Sequence, residues 1–233
     1  TASGGITFVD AVDEIRTQGG SITLQAQGAG SLSNIGKLTS TGGAIVLESA
    51  TTTALVGAIA TNGGSFSSTG TTFTNSATTG AISTAGGTLT IDHSGVVTIN
   101  DNLSSSGGNI SITGSNLTVS VGPTVDSGSG NVTLKPKTAT TIGVGAGGGV
   151  FSVDNTELSQ IASTGTITIG DRTLASDITV GGVSAGTKNL RLATGGIGTI
   201  NDDGSTAVTL TTGTLTLDAA STIGNTTTFD VSV

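Results

Sequence analysis

The stretch Gly86-Gly87-Thr88-Leu89-Thr90-Ile91-Asp92 is answered twenty-one residues later by Gly107-Gly108-Asn109-Ile110-Ser111-Ile112-Thr113. In both, a glycine pair leads into an apolar, polar, apolar alternation. Period two is the mark of a strand with one buried face. The same phrase recurs at Gly4-Gly5, Gly19-Gly20, Gly42-Gly43 and Gly63-Gly64, and in degenerate form at Gly128-Ser129-Gly130. Measured on the first apolar residue, from Ile22 through Ile45, Phe66, Leu89 and Ile110 to Val132, the steps are 23, 21, 23, 21 and 22. A fixed period in this range is the signature of stacked repeats.

A second apolar residue, Leu38, Ile59, Ile82 or Leu103, stands four positions before its glycine pair. A looser apolar position falls in between, at Ile35, Phe73, Val96-Thr98 and Leu117-Val119-Val121. A unit of about 22 residues with three short strands is too small for a βαβ unit or a propeller blade. It fits one strand on each face of a triangular coil, with successive coils paired in parallel at about 4.8 Å. The expectation is therefore an all-β, single-stranded parallel β-helix, or β-solenoid. It runs as one continuous tract over 1–233, with regular coils over 1–142 and less regular ones over 143–233. In the second part Phe151-Val153, Ile167-Ile169, Leu190-Leu192, Val208-Leu210 and Phe229-Val231 are read as continuing the ladder, about eleven coils in all. Ile178-Val180, Leu215-Leu217, Ile197 and Ile200 are read as intervening strands. No helix is expected, because no 3.6-residue period persists.

Composition supports a narrow core of small side chains. Among 233 residues there are 39 Gly and 46 Thr, no Cys, Met, Trp or Tyr, and only 9% charged residues. A β-sandwich core normally draws on aromatics. Hydrophobic content of 34% is too high for a disordered tail. Seven Lys and Arg against 15 Asp and Glu give a net charge of −8, which leaves no basic footprint for nucleic acid. No apolar run is long enough for a transmembrane helix. Without cysteine there is neither a disulfide framework nor a thiolate site.

The alternation Gly-Gly-Asn109-Ile110-Ser111-Ile112, the strand end Leu215-Thr-Leu-Asp218-Ala-Ala and the phrases Ser221-Thr-Ile-Gly224 and Ala193-Thr-Gly-Gly-Ile197-Gly198 resemble the repeat tracts of filamentous-haemagglutinin-like bacterial exoproteins. The resemblance spans the chain as a style of repeat. It implies a right-handed β-helix, exported to the cell surface or beyond, serving as the stalk or fibre segment of an adhesin. The chain then reads as a section of a longer protein. A self-assembling filament is the neighbouring reading, because Ile6-Phe8 and Phe229-Val231-Val233 bring the pattern close to both ends of the sequence and unpaired edges invite end-to-end association. A host or neighbouring-cell glycan or protein is the expected partner class.

Chemistry is sparse. His93 is the only histidine and is read as a surface turn residue. The carboxylates Asp10, Asp13, Glu14, Asp92, Asp101, Asp154, Glu157, Asp171, Asp177, Asp202 and Asp203 do not recur as groups on the 21-to-23 step, Asp154 and Asp177 alone standing 23 apart, so they are not read as paired on one face as two-carboxylate glycoside chemistry requires. They are read as solvated turns, and the basic residues as scattered, with only Lys135 and Lys137 close together. Asp202-Asp203-Gly204 lacks a complete Ca²⁺ loop. Gly145–Gly149 has no Lys-Ser/Thr after it and reads as a relaxed corner, not a phosphate loop. Asn102, Asn116, Asn131 and Asn225 head N-x-Ser/Thr triplets, which a Thr-rich chain produces by chance. Thr-x-Thr pairs such as Thr72-Thr74 and Thr88-Thr90 do not recur at one phase, so an ice-binding threonine lattice is not favoured. No catalytic, cofactor or metal residue is assigned, and a polysaccharide-binding or polysaccharide-degrading β-helix is the remaining alternative.

Overall fold

A computed structural model describes residues 4–204, 207–224 and 229–232. Every strand pairing among them is parallel, and the chain winds through about ten stacked coils. The first face opens with strands Ile6–Thr7, Leu32–Ile35 and Thr52–Leu55 and runs to Asn116–Val119. The second runs from Glu14–Arg16 to Ile161–Ser163. The third, the longest, stacks nine strands from Ile22–Ala26 to Leu215–Ala219.

The third face carries the register read from the sequence. Ile22 pairs with Ile45, then Phe66, Leu89, Ile110 and Val132 in turn. All six are buried. Leu38, Ile59, Ile82 and Leu103 make the matching inward row on the second face. Ile35, Leu55, Phe73, Val97, Ile99, Leu117 and Val119 fill the interior from the first. Val121 and Ile197, read as strand residues, are instead largely exposed, at 86% and 85%.

In the regular coils, five successive corners between the second and third faces are built the same way. The hydroxyl of Ser40, Thr61, Thr84, Ser105 or Ser127 donates to the carbonyl three residues on, at Gly43, Gly64, Gly87, Gly108 or Gly130. The two glycines of the pair do different jobs. Gly86 has φ 108°, a conformation side chains rarely adopt. Gly87 has ordinary φ, but a Cβ there would run into the carbonyl of Gly64 in the coil below. The glycines thus stack directly on one another, so the period of the glycine pair is the period of the coil.

Beyond Val132 the regular step breaks, and the structure corrects the continuation read from the sequence. The next partner of Val132 is Ile167, thirty-five residues on. Leu190 and Leu215 follow it on the third face. Leu215-Leu217 is therefore a ladder strand, not an intervening one. Phe151-Val153 belongs to a separate four-stranded sheet with Ile142–Gly145, Ile178–Gly181 and Ile200–Asp202, and Val208-Leu210 pairs with Val231-Ser232 on a short three-stranded sheet.

The long coil contains a reversal. Strand Ile142–Gly145 pairs with Ile178–Gly181 ahead of it, but also with Phe151–Val153, only nine residues further along the chain. Phe151–Val153 in turn packs beside Asn116–Val119. The chain thus steps one level forward, returns through Gly147–Gly149, and resumes. The backbones approach so closely that a Cβ on Gly143 would collide with the Gly147 carbonyl, and one on Gly149 with the Gly143 amide. The Gly145–Gly149 run serves that return.

A five-residue helix, Asn155–Ser159, follows, against the expectation of none. Asp154 caps it: its carboxylate accepts from the Glu157 amide at 2.8 Å, and Glu157 accepts from the Asp154 amide at 3.1 Å. This reciprocal pair is a capping box, which explains Asp154 and Glu157 better than a solvated turn does. The helix packs between Ile161–Ser163 and the later strand Ser184–Gly186. The extra strand adds a layer only beside Asn116–Val119, because Ile161–Ser163 follows Val125–Gly128 directly on the second face and Thr166–Asp171 follows Val132–Pro136 directly on the third.

Candidate functional site

The residues with chemistry divide into those used inside the stack and those on its outer third face. His93 belongs to the first group. Contrary to the surface-turn reading, it is fully buried at the end of strand Leu89–His93. It fits because the preceding coil makes room. Gly70 is its register partner, and a Cβ on Gly70 would contact the imidazole at 2.9 Å. Ser68 interrupts the aliphatic row of Leu47 and Ile91 and places its Oγ 2.9 Å from His93 Nε2. The ring lies 5.6 Å from that of Phe73, and Nδ1 has no hydrogen-bond partner. Burial drives the His93 pKa down to about 4, Asp92 raising it and Lys137 lowering it.

Most carboxylates hold the coil in place. Asp10 and Asp13 accept amides of their own corner. Glu14 accepts from Thr39 at 2.8 Å with Lys37 at 3.4 Å, and the Thr39 hydroxyl is the main reason its pKa is lowered. Asp101 accepts from the Asn102 amide, Asp177 from the amide and hydroxyl of Thr199, and Asp202 from the amide of Gly204. Asp203 stands over Gly181, where a Cβ would meet its carboxylate. Glu157 is buried, and burial pushes its pKa up against the lowering effect of the Asp154 and Val119 amides. No group of three or more His, Cys, Asp or Glu residues able to hold a metal occurs among the described residues.

The asparagines of the glycosylation triplets serve as clamps between coils. Asn102 accepts from the Thr124 amide, Asn116 from Ser152 and Asn131 from Thr166. Asn225 lies outside the described residues. Of the Thr-x-Thr pairs, Thr72-Thr74 faces outward on the first face. Its neighbours in register are Thr52 and Ala54 on one side and Thr98 on the other, so no second Thr-x-Thr pair stacks on it, although Thr74, Thr98 and Thr118 form a single column and Thr52 and Thr72 bond at 3.0 Å. Thr53 points inward and is buried.

The outer third face gathers what the sequence left scattered. Two clefts open there. One is lined by Thr90, Asp92, Thr113, Lys135, Lys137 and Asp171, among others. The second, beside it, is lined by Thr133, Thr168, Gly170, Asp171, Arg172, Arg191 and Ala193. Lys137 reaches across an intervening coil to Asp92 at 2.7 Å, and Lys135 meets Asp171 at the same distance. In the intervening strand Thr113, the register partner of both Asp92 and Lys135, lines the cleft beside the pair. For Asp171, burial raises the pKa, but the bonds from Lys135 and from the amide and hydroxyl of Thr173 outweigh it and leave the pKa lowered. Arg172 and Arg191 both contact one carboxylate, Asp218.

Four of the chain's seven cations therefore share one strip with three carboxylates, Asp92, Asp171 and Asp218. The strip carries a net charge of +1. The other three cations and twelve carboxylates leave −9 on the rest of a chain whose total is −8. The only sequence signal for the strip was the closeness of Lys135 and Lys137. Arg172 and Arg191 join it through the lengthened coil, whose size the sequence did not reveal.

The geometry defines a parallel β-solenoid with a polar, cation-bearing cleft on its longest face. Compared with family models, curated proteins and solved structures, the chain matches none.

Proposed function

We propose that the chain is a structural rod, the stalk or fibre segment of a secreted or cell-surface adhesin. The observation that carries this reading is the unbroken third face, in which nine parallel strands bond coil to coil along the axis. Such a stack derives its stability from each repeat and its nearest neighbours, so it can be lengthened one coil at a time. Its interior is mostly aliphatic, with Phe66, Phe73 and Phe151 the largest buried side chains, and Lys and Arg, the sites of Lys- and Arg-directed proteolysis, number only seven. Both properties suit a spacer that holds a binding end away from a cell.

Excising residues 89–109, one whole coil, tests the reading. A spacer should refold with its solution length reduced by about 5 Å, one strand spacing, as small-angle scattering would report. Loss of folding on removal of a single coil would count against it. A second reading, retention of a polysaccharide, is favoured by the hydroxyl and charged lining of the third-face clefts. It predicts retardation on a glycan column without release of product.

A further inference from the structure

We propose that the cleft between Arg172 and Arg191 is a binding site for a doubly charged oxyanion, a sulfate or phosphate group. The argument begins with the pairing. Both guanidinium groups are bound to one carboxylate, Asp218, with Arg172 Nη1 at 2.8 Å from Oδ1 and Arg191 Nη2 on Oδ2. One positive charge is left over. Asp171, which also lines the cleft, is already engaged by Lys135 and by the amide and hydroxyl of Thr173. Asp218 itself is not part of the cleft lining.

The donors are available as well as the charge. A guanidinium has five N–H groups in a planar fork suited to oxyanions. Apart from Asp218, the side-chain bonds found for the two arginines amount to a 3.4 Å contact from Arg172 to the Thr194 carbonyl. Between them the floor is low, because Gly170 and Ala193 pair across adjacent strands and neither projects a long side chain. Thr133 and Thr168, aligned in register with Arg191, bring hydroxyl donors along one edge. Exposed ion pairs contribute little to stability, so a two-to-one arrangement has no evident structural purpose. The surrounding charge of −9 repels anions elsewhere, which makes this strip the preferred landing place.

The experiment is amide NMR of the whole chain, titrated with inorganic sulfate, inorganic phosphate and, at matched ionic strength, chloride. Saturable shifts at Thr168, Arg191 and Ala193 are expected for sulfate or phosphate and not for chloride. The double variant Arg172→Gln/Arg191→Gln should abolish them, and Lys37→Gln, on another face, should leave them unchanged. Thr168→Asp adds a repelling carboxylate on an outward position and should weaken binding at least tenfold while leaving both arginines in place. Equal shifts with chloride, shifts that persist in the double variant, or undiminished affinity in Thr168→Asp would overturn the site. Sedimentation with phosphatidic acid vesicles, whose headgroup is a phosphomonoester, lost in the double variant, would place the oxyanion on a lipid headgroup. Binding of the free ions without sedimentation would place it on a soluble ligand.

Discussion

Ser68 Oγ and His93 Nε2 lie 2.9 Å apart inside the coil stack, where their neighbours in the same inward rows are aliphatic or glycine. The pair is a polar inclusion in an apolar rod. A buried imidazole with one nitrogen bonded and the other unpartnered is stable only when neutral.

The first prediction follows from that pair. The His93 pKa falls from 6.5 in the unfolded chain to about 4 in the folded one. Between these values the unfolded chain binds a proton that the folded chain refuses, so stability falls as pH drops from 6.5 and levels off below 4. The full effect is about 3 kcal/mol. Urea midpoints measured across this range should decline toward acid, and in His93→Leu the part of the decline due to this residue should vanish. An unchanged slope in the variant would refute the assignment.

The glycine corner makes a second, positional prediction. Gly87→Ala forces a Cβ against the Gly64 carbonyl, whereas nothing lies within 4 Å of a Cβ on Gly148. Overpacking against backbone should cost about 3 kcal/mol at Gly87. Gly148→Ala should change the unfolding midpoint very little. Equal effects at the two sites would mean that the stacked-glycine account of the coil period is wrong.

The residue before the glycine pair offers a stabilising change. Ala85 has φ 51°, in the left-handed region, and so has its counterpart Asn62 at 49°. Asn62 also donates from Nδ2 to the Ser40 carbonyl of the coil below, at 2.6 Å. Asparagine tolerates this conformation better than alanine does. Ala85→Asn should therefore stabilise the fold by about 0.5–1 kcal/mol, seen as a higher melting temperature. A lower one would argue against the left-handed corner.

The regular coils were legible because one physical constraint writes itself into the sequence at fixed spacing. Gly43, Gly64, Gly87, Gly108 and Gly130 must each lie over the glycine below, and Ile22 to Val132 must each stack on like residues. The lengthened coil is not legible in the sequence because its reversal uses the same vocabulary of Gly, Val and Phe at period two. Nothing local distinguishes Phe151-Val153 from a third-face ladder strand. The helix was signalled by Asp154 and Glu157 at capping-box spacing, but over five residues no helical period can develop. The burial of His93 is not legible in the sequence because a single residue carries no periodic signal. The informative clue was Ser68, a polar residue in a row otherwise held by Leu47 and Ile91. The charged strip was hidden for a further reason: Asp92 and Lys137 meet across a skipped coil, so no single-period comparison brings them together.

That skipped-coil pair leads to a last prediction, linking the outer face to the interior. Asp92 precedes His93 in the chain and holds Lys137 at 2.7 Å above the buried ring. The two charges act on the imidazole in opposite senses, Asp92 favouring its protonated form and Lys137 opposing it. Lys137→Gln should therefore raise the His93 pKa, and Asp92→Asn should lower it further. Both side chains are well exposed, at 41% and 38%, so each substitution should change stability at neutral pH by less than about 1 kcal/mol. The readout is the imidazole carbon-bound proton shift followed by NMR from pH 7 downward, in the wild type and both variants. Opposite displacements of the titration, with nearly unchanged melting at pH 7, are the expected result. Displacement in the same direction, or none in either variant, would mean that the outer ion pair does not act on the buried ring.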